Sequence, residues 1–253
     1  MSSSEGAKPM KTLMHPSSTL NLDEESVDID NTMYRGMVGS LLYLTTSRPD
    51  IMFNVCVYAR FQVRPKEVHL QAVKRILRYL KGTTNLGISF YRSQNFSLLG
   101  YCDAYVGDKW ERKNTSRGCH FLIRCLVSWT SKRKSTIALS TCEAEYVAVG
   151  QCLTQLLWIK HQLEDYDIYE SSIPVLCDNT TVISISKSPI FHSRIKHIEI
   201  KHHFIRDYVQ KGTFKLIYVK TEEQLKDIFT KPLQEDRYIW LTDRLGMELI
   251  GEQ

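Results

Sequence analysis

Apolar residues recur along this chain with two periods, and the change between them divides it. From Met33 the spacing is helical. Tyr34, Met37, Leu41 and Leu44 form a stripe that Val38 widens. Thr46–Asp50 breaks the pattern, and Pro49 suits the first turn of a second helix over Ile51 to Phe61. Pro65 opens a third, with Leu70, Val73, Leu77 and Leu80 as its buried face and Gly82 as its C-cap. Beyond this point the period shortens. Leu86 to Tyr91, Phe96 to Cys102, Gly118 to Ile123 and Cys125 to Trp129 read as strands, the last two close enough for a hairpin.

A long helical pattern then starts at Ser140 or Thr141 and ends near Asp165. Its buried face is Tyr146, Val149, Leu153 and Leu157. Ile173 to Cys177 is a short apolar run that suits a central strand covered on both faces. Asp178 and Asn179 can cap a short helix through Ser186. The second half of the basic segment His192 to Gly212 looks helical, Phe214 to Val219 is a strand, and helices follow over Glu222 to Phe229 and Arg237 to Leu245. Adjacent strands followed by crossovers predict a mixed sheet with helices against it, behind a small helical unit. The boundaries expected are a polar N-terminal arm over 1–29, a helical segment over 30–90, the sheet domain over 91–233, and a C-terminal helix and tail over 234–253.

Composition narrows the function classes. The 253 residues are 43% hydrophobic and 24% charged, enough for folded cores, and the formal net charge of +5 mildly favours an acidic partner such as nucleic acid. Lys74, Arg75, Arg78 and Lys81 line the outer face of the third helix. They read either as solvated surface or as contacts to a nucleic-acid backbone, and Arg194 and Lys196 extend the basic character. No run of 18 apolar residues occurs, so no membrane partner is expected, and the polar start carries no leader pattern. The seven cysteines are odd in number and mostly embedded in apolar patterns, with no CxxC pair. They read as small core residues of an intracellular protein, cytoplasmic or nuclear, rather than as an exported disulfide framework.

Four carboxylates carry the candidate chemistry. Asp103 ends a strand in LLGYCDAYVGD, Glu145 lies early in the long helix in TCEAEY, Asp178 follows a strand in VLCDN, and Asp227 lies in LKDIFTKPL. A local ion loop packs its ligands into about 12 residues, whereas these four require tertiary folding to meet. Hard oxygen ligands suit Mg²⁺, and two such ions about 4 Å apart can clamp the attacking and leaving oxygens of a phosphodiester. Helix capping and ordinary surface charge account for the same residues without a site. Glu143 and Glu145 stand two apart and face different ways, and spacing alone does not choose between them.

The motifs themselves resemble a known family. MYRGMVGSLLYLTTSRPDIMFNV and HLQAVKRILRYLKGTTNLGISF look like the region just after the reverse-transcriptase palm of copia-type retrotransposon Pol polyproteins. LLGYCDAYVGD, VSWTSKRKSTIALSTCEAEYVA, CDNTTVISISKSPIFHSRIKHIEIKHHFIRD and KDIFTKPL resemble the RNase H domain of that family, so the likeness runs over about residues 8–249. It implies an RNase H-like fold and metal-dependent hydrolysis of the RNA strand of an RNA–DNA hybrid, leaving 3′-hydroxyl and 5′-phosphate ends. It implies two Mg²⁺ ions, or Mn²⁺, held by Asp103, Glu145, Asp178 and Asp227, and it favours Glu145 over Glu143. Asp103 would bridge the ions, Glu145 and Asp178 would hold one and Asp227 the other. A retroelement particle and the reverse-transcriptase portion of the polyprotein are the implied setting and partner. No Asp-Asp pair occurs, so DNA synthesis by this chain is not expected.

Three departures from the family pattern bear on activity. Cys102 replaces a polar residue. The stretch AYVGD from Ala104 is one residue shorter than usual, which puts Tyr105 and Val106 beside the first aspartate. Lys226 stands where alanine is usual, directly before Asp227, and a cation there can offset carboxylate charge and weaken metal binding. No histidine lies between Tyr218 and Asp227. The alternative implied is an inactive remnant that binds nucleic acid or has been recruited by its host.

Overall fold

The computed structural model describes residues 8–14, 26–93, 95–105, 115–133, 140–188 and 199–251. It falls into two compact units, residues 90–226, and residues 1–89 together with 227–253.

The larger unit is built on a five-stranded mixed sheet. β2 (Leu98–Tyr105), β3 (Thr115–Leu122) and β4 (Cys125–Arg133) form an antiparallel meander. β5 (Ile173–Cys177) pairs parallel with β2, and β6 (Phe214–Tyr218) parallel with β5, giving the order β4-β3-β2-β5-β6. α4 (Thr141–Glu164) joins the meander to β5, and α5 (Thr180–Lys187) and α6 (Glu199–Gln210) make the crossover to β6. A mixed sheet flanked by helices is what the sequence pattern led us to expect.

Local signals explain the elements. Ser140 accepts the Glu143 amide proton and caps α4, and Asn179 does the same for the Val182 amide at the start of α5. Leu98, Gly100 and Cys102 alternate inward along β2, as Ile173, Val175 and Cys177 do along β5. α4 buries Tyr146, Val149, Cys152, Leu153 and Leu156 against them. The expected Leu157 is half-buried, because Leu156 takes the inward position. β5 differs from expectation in one respect: Pro174 and Leu176 are only half-buried, so its apolar run marks one fully covered face.

The smaller unit contains α1 (Asn31–Leu44), capped by Asp30, α2 (Met52–Tyr58), framed by 3₁₀ turns over Pro49–Ile51 and Ala59–Phe61, and α3 (Glu67–Gly82). It also contains α7 (Glu235–Arg244) and a two-stranded ladder of β1 (Leu86–Ile88) with β7 (Met247–Leu249) that sequence reading did not foresee. Its centre is polar. Asp50 is fully buried and accepts from Arg48 Nε at 2.9 Å, from Arg48 Nη2 at 2.6 Å and from the Tyr79 hydroxyl at 2.8 Å. Tyr238 donates to the Asp50 carbonyl at 3.3 Å. A buried charge is tolerated when its remaining lone pairs are filled in this way. The same network corrects the expected face of α3. Ile76 and Tyr79 are buried and Leu77 is 43% exposed, since the Tyr79 ring goes inward to bring its hydroxyl to Asp50.

Gly100 is where α4 meets β2. A Cβ there would lie 2.7 Å from Leu156 Cδ1 and 3.0 Å from Cys152 Sγ, both in the packed core. Gly100→Ala is expected to destabilise the fold by about 1–3 kcal/mol in urea denaturation, because the Leu156 and Cys152 side chains must give way within a packed core. Gly39→Ala, with nothing within 4 Å on an exposed helix face, is expected to stabilise by about 0.5–1 kcal/mol. Equal stability of Gly100→Ala and the parent would show that the helix does not press on the strand.

Candidate active site

Two adjacent parallel strands set up the acid end of the larger unit. β2 and β5 pair Gly100 with Val175 and Tyr101 with Leu176. Carried on along both strands, that register brings Cys102 level with Cys177 and Asp103 level with Asp178. The thiols of Cys102 and Cys177 do touch. Leu156 and Cys152 lie over Gly100, and the Cys152 thiol also reaches the Tyr101 carbonyl and Cys102. α4 therefore runs against the direction of β2, with its N-terminal turns toward the Asp103 end. Glu145 lies in those turns and is half-buried, while Glu143 is the more buried of the two, at 6% exposure. For Asp103 the backbone is described, paired with Arg117 of β3, and the side chain lies outside the described residues, as does Val106.

Asp178 is the acid best defined. Asn179 supplies the cap of α5, so the carboxylate is released from that task. It is not spare, however. Lys226 donates to Asp178 Oδ1 at 2.7 Å, from a side chain only 1% exposed, while Asp178 retains 17%. The carboxylate expected to face Asp103 therefore already holds a buried ammonium. Lys226 sits in a 3₁₀ stretch, Leu225–Phe229, where a helix over Glu222 to Phe229 was expected. The chain leaving β6 is tied to the end of β5 by the Val219 amide, which donates to the Cys177 carbonyl at 3.1 Å.

The field of Lys226 reaches the end of the sheet. Contact with Cys152 pushes the Cys102 thiol up, burial does so for Cys119, and contact with Cys102 for Cys177, while the lysine charge pulls all three back down. The net shift is upward for each, so these are neutral, inert core thiols. None of the seven cysteines forms a disulfide.

Asp227 belongs to the smaller unit and has its own counter-charges. Lys231 Nζ lies 3.1 Å and Arg237 Nη2 3.4 Å from Asp227 Oδ2, and the carboxylate is 9% exposed. Sequence reading missed both partners, although the Lys231 spacing of four was a readable signal. Lys74 and Lys81 are exposed. Arg75 and Arg78 are half-buried, and Arg75 donates to the Thr12 carbonyl at 2.9 Å and to its hydroxyl at 2.7 Å. Arg194 and Lys196 lie outside the described residues.

Carboxylate oxygens are the right donors for Mg²⁺. Among the described residues no group of three or more His, Cys, Asp or Glu side chains is placed to hold a metal ion. Asp178 and Asp227 each already carry a cation within 3.1 Å.

Comparison with known proteins places this geometry among relatives. No family model matches the chain. The chain is 41% identical over 243 residues to the retrovirus-related Pol polyprotein from transposon RE1 of Arabidopsis thaliana. It is 37% identical over 243 residues to the one from transposon RE2 of the same plant. Each match covers 95% of this chain and 17% of the polyprotein, so the chain spans about 17% of the length of these relatives. It is also 39% identical over 131 residues to the secreted RxLR effector protein 161 of Plasmopara viticola, covering 51% of this chain and 92% of that one. Among solved structures it is similar to the N-terminal RNase H domain of a Mycobacterium tuberculosis protein. That match has a TM-score of 0.39 and 9% identity, and covers 59% of this chain and 98% of that one. The foamy viral protease-reverse transcriptase bound to dsDNA matches with a TM-score of 0.42 and 13% identity, over 62% of this chain and 30% of that one.

The Asp178–Lys226 pair reverses a simple expectation. In a cluster of unpaired acids, Asp178→Asn would relieve repulsion and stabilise the fold. Here it removes the counter-charge of a buried ammonium, and the substitution is expected to cost about 1–3 kcal/mol in metal-free buffer. A melting temperature equal to or above the parent's, read by circular dichroism, would show that the pair contributes nothing.

Proposed function

Because this chain is related to the Pol polyproteins of retrotransposons, we propose that residues 90–226 form the RNase H-type module of such a protein, with an RNA–DNA hybrid as ligand. The observation that carries this reading is the parallel register of β2 and β5, Gly100 with Val175 and Tyr101 with Leu176, which leads toward Asp103 and Asp178, with α4 packed over Gly100. Hybrids are recognised by duplex shape and by 2′-hydroxyls, which asks for a basic, accessible surface rather than a deep pocket. Lys74 and Lys81 on the smaller unit, the piece that resembles the end of reverse transcriptase, are exposed and basic, the kind of side chain that contacts phosphate.

Two fates of the bound hybrid are open to such a module. Hydrolysis of the RNA strand would require Asp103, Glu145, Asp178 and Asp227 to hold Mg²⁺ or Mn²⁺. Retention without cleavage requires only the surface. The commitment of Asp178 to Lys226 favours retention, and a hybrid-binding module is the function this geometry supports best. The proposed setting is inside the cell, in the cytoplasm, the nucleus or a retroelement particle, beside the reverse-transcriptase portion of the same element. No helix among the described residues is long and apolar enough to cross a membrane.

Fluorescence anisotropy with a labelled RNA–DNA hybrid, run beside a cleavage gel with and without Mg²⁺, tests both parts. The parent is expected to bind with strong salt dependence and to leave the RNA intact. Lys74→Glu combined with Lys81→Glu is expected to weaken binding and flatten the slope by up to about 2. Absence of hybrid binding at low salt would reject the module, and Mg²⁺-dependent cleavage by the parent would restore hydrolysis as its function.

A further inference from the structure

We propose that Lys226 is a built-in counter-cation of the acid end, its ammonium holding on Asp178 the place that a divalent ion would otherwise take. The inference rests on the RNase H-type reading of the module and deepens it, because it says which charge occupies the acid end of such a module in the free protein.

Position is the first argument. The ammonium lies 2.7 Å from Asp178 Oδ1. A Mg²⁺ ion on the same carboxylate would sit about 2.0–2.1 Å from its oxygen, next to a positive charge in a part of the molecule with little water to screen it. Confinement is the second. Lys226 is 1% exposed, so its four-carbon stem is enclosed and the ammonium cannot swing into solvent as a surface lysine would. The third is where the lysine's chain is anchored: the Val219 amide donates to the Cys177 carbonyl at 3.1 Å, at the end of β5 that carries Asp178. A carboxylate with a permanent internal partner needs no metal to offset its burial, and the site is then filled in the free protein.

Divalent-metal binding to the full chain is the direct test, with Mn²⁺ followed by electron paramagnetic resonance and Mg²⁺ by its effect on melting temperature. Lys226→Met keeps the enclosed stem without the charge, and Lys226→Gln keeps a polar tip should the first variant fail to fold. Either variant is expected to bind Mn²⁺ at least about tenfold more tightly than the parent and to gain melting temperature with Mg²⁺ where the parent does not. Equal affinity of parent and folded variant, whether tight or undetectable, overturns the inference. Should neither variant fold, the parent alone decides: a Mg²⁺-dependent rise in its melting temperature sinks the idea, and an unmoved one upholds it. Hybrid anisotropy on the same samples separates the two proposals, because loss of hybrid binding would remove the module reading while leaving the metal comparison intact.

Discussion

How closely α4 lies on β2 governs the acid end. The approach is possible because position 100 has no side chain: Leu156 and Cys152 fill the space a Cβ would need. With that contact fixed, the thiols of Cys102, Cys152 and Cys177 interlock, β5 is held parallel beside β2, and the ends of both strands come out together. Packing of small residues in the middle of the sheet thus sets the position of charged residues at its edge. Protein interiors are dense enough that a methyl group at Gly100 is felt along the whole helix.

Charge at that edge is balanced from within. Asp178 has Lys226, and in the other unit Asp227 has Lys231 and Arg237. A buried ion pair seldom adds much net stability over an apolar substitute, but removing one partner is strongly destabilising. Such pairs persist most readily where the carboxylate is retained for another reason or inherited from an ancestor that used it. For Asp178 the partner that balances the acid is Lys226, 2.7 Å away and itself only 1% exposed.

Much of this was legible in the chain. Strand alternation from Leu98 to Cys102, the cap at Ser140, the helical spacing from Tyr146 to Leu153 and the end near Asp165 all correspond to described elements. The misses share a cause, which is that sequence periodicity cannot see a partner distant in the chain. The expected buried face of α3 did not include Tyr79, whose hydroxyl meets Asp50. The strand expected from Leu86 is β1, but its partner β7 lies about 160 residues on and is too short to announce itself. The apolar run of β5 suggested two covered faces where one is half open. Lys226 stood out as a departure from a family pattern, but only the fold shows that its ammonium meets Asp178, 48 residues away in sequence.

The account stands or falls on which cation Asp178 holds, and a crystal structure of the full chain grown with excess Mn²⁺ shows this directly. The anomalous difference map is predicted to be empty at the ends of β2 and β5, with Lys226 Nζ in hydrogen-bond contact with Asp178. A strong anomalous peak bound by Asp103 and Asp178, with the lysine turned away, would contradict it.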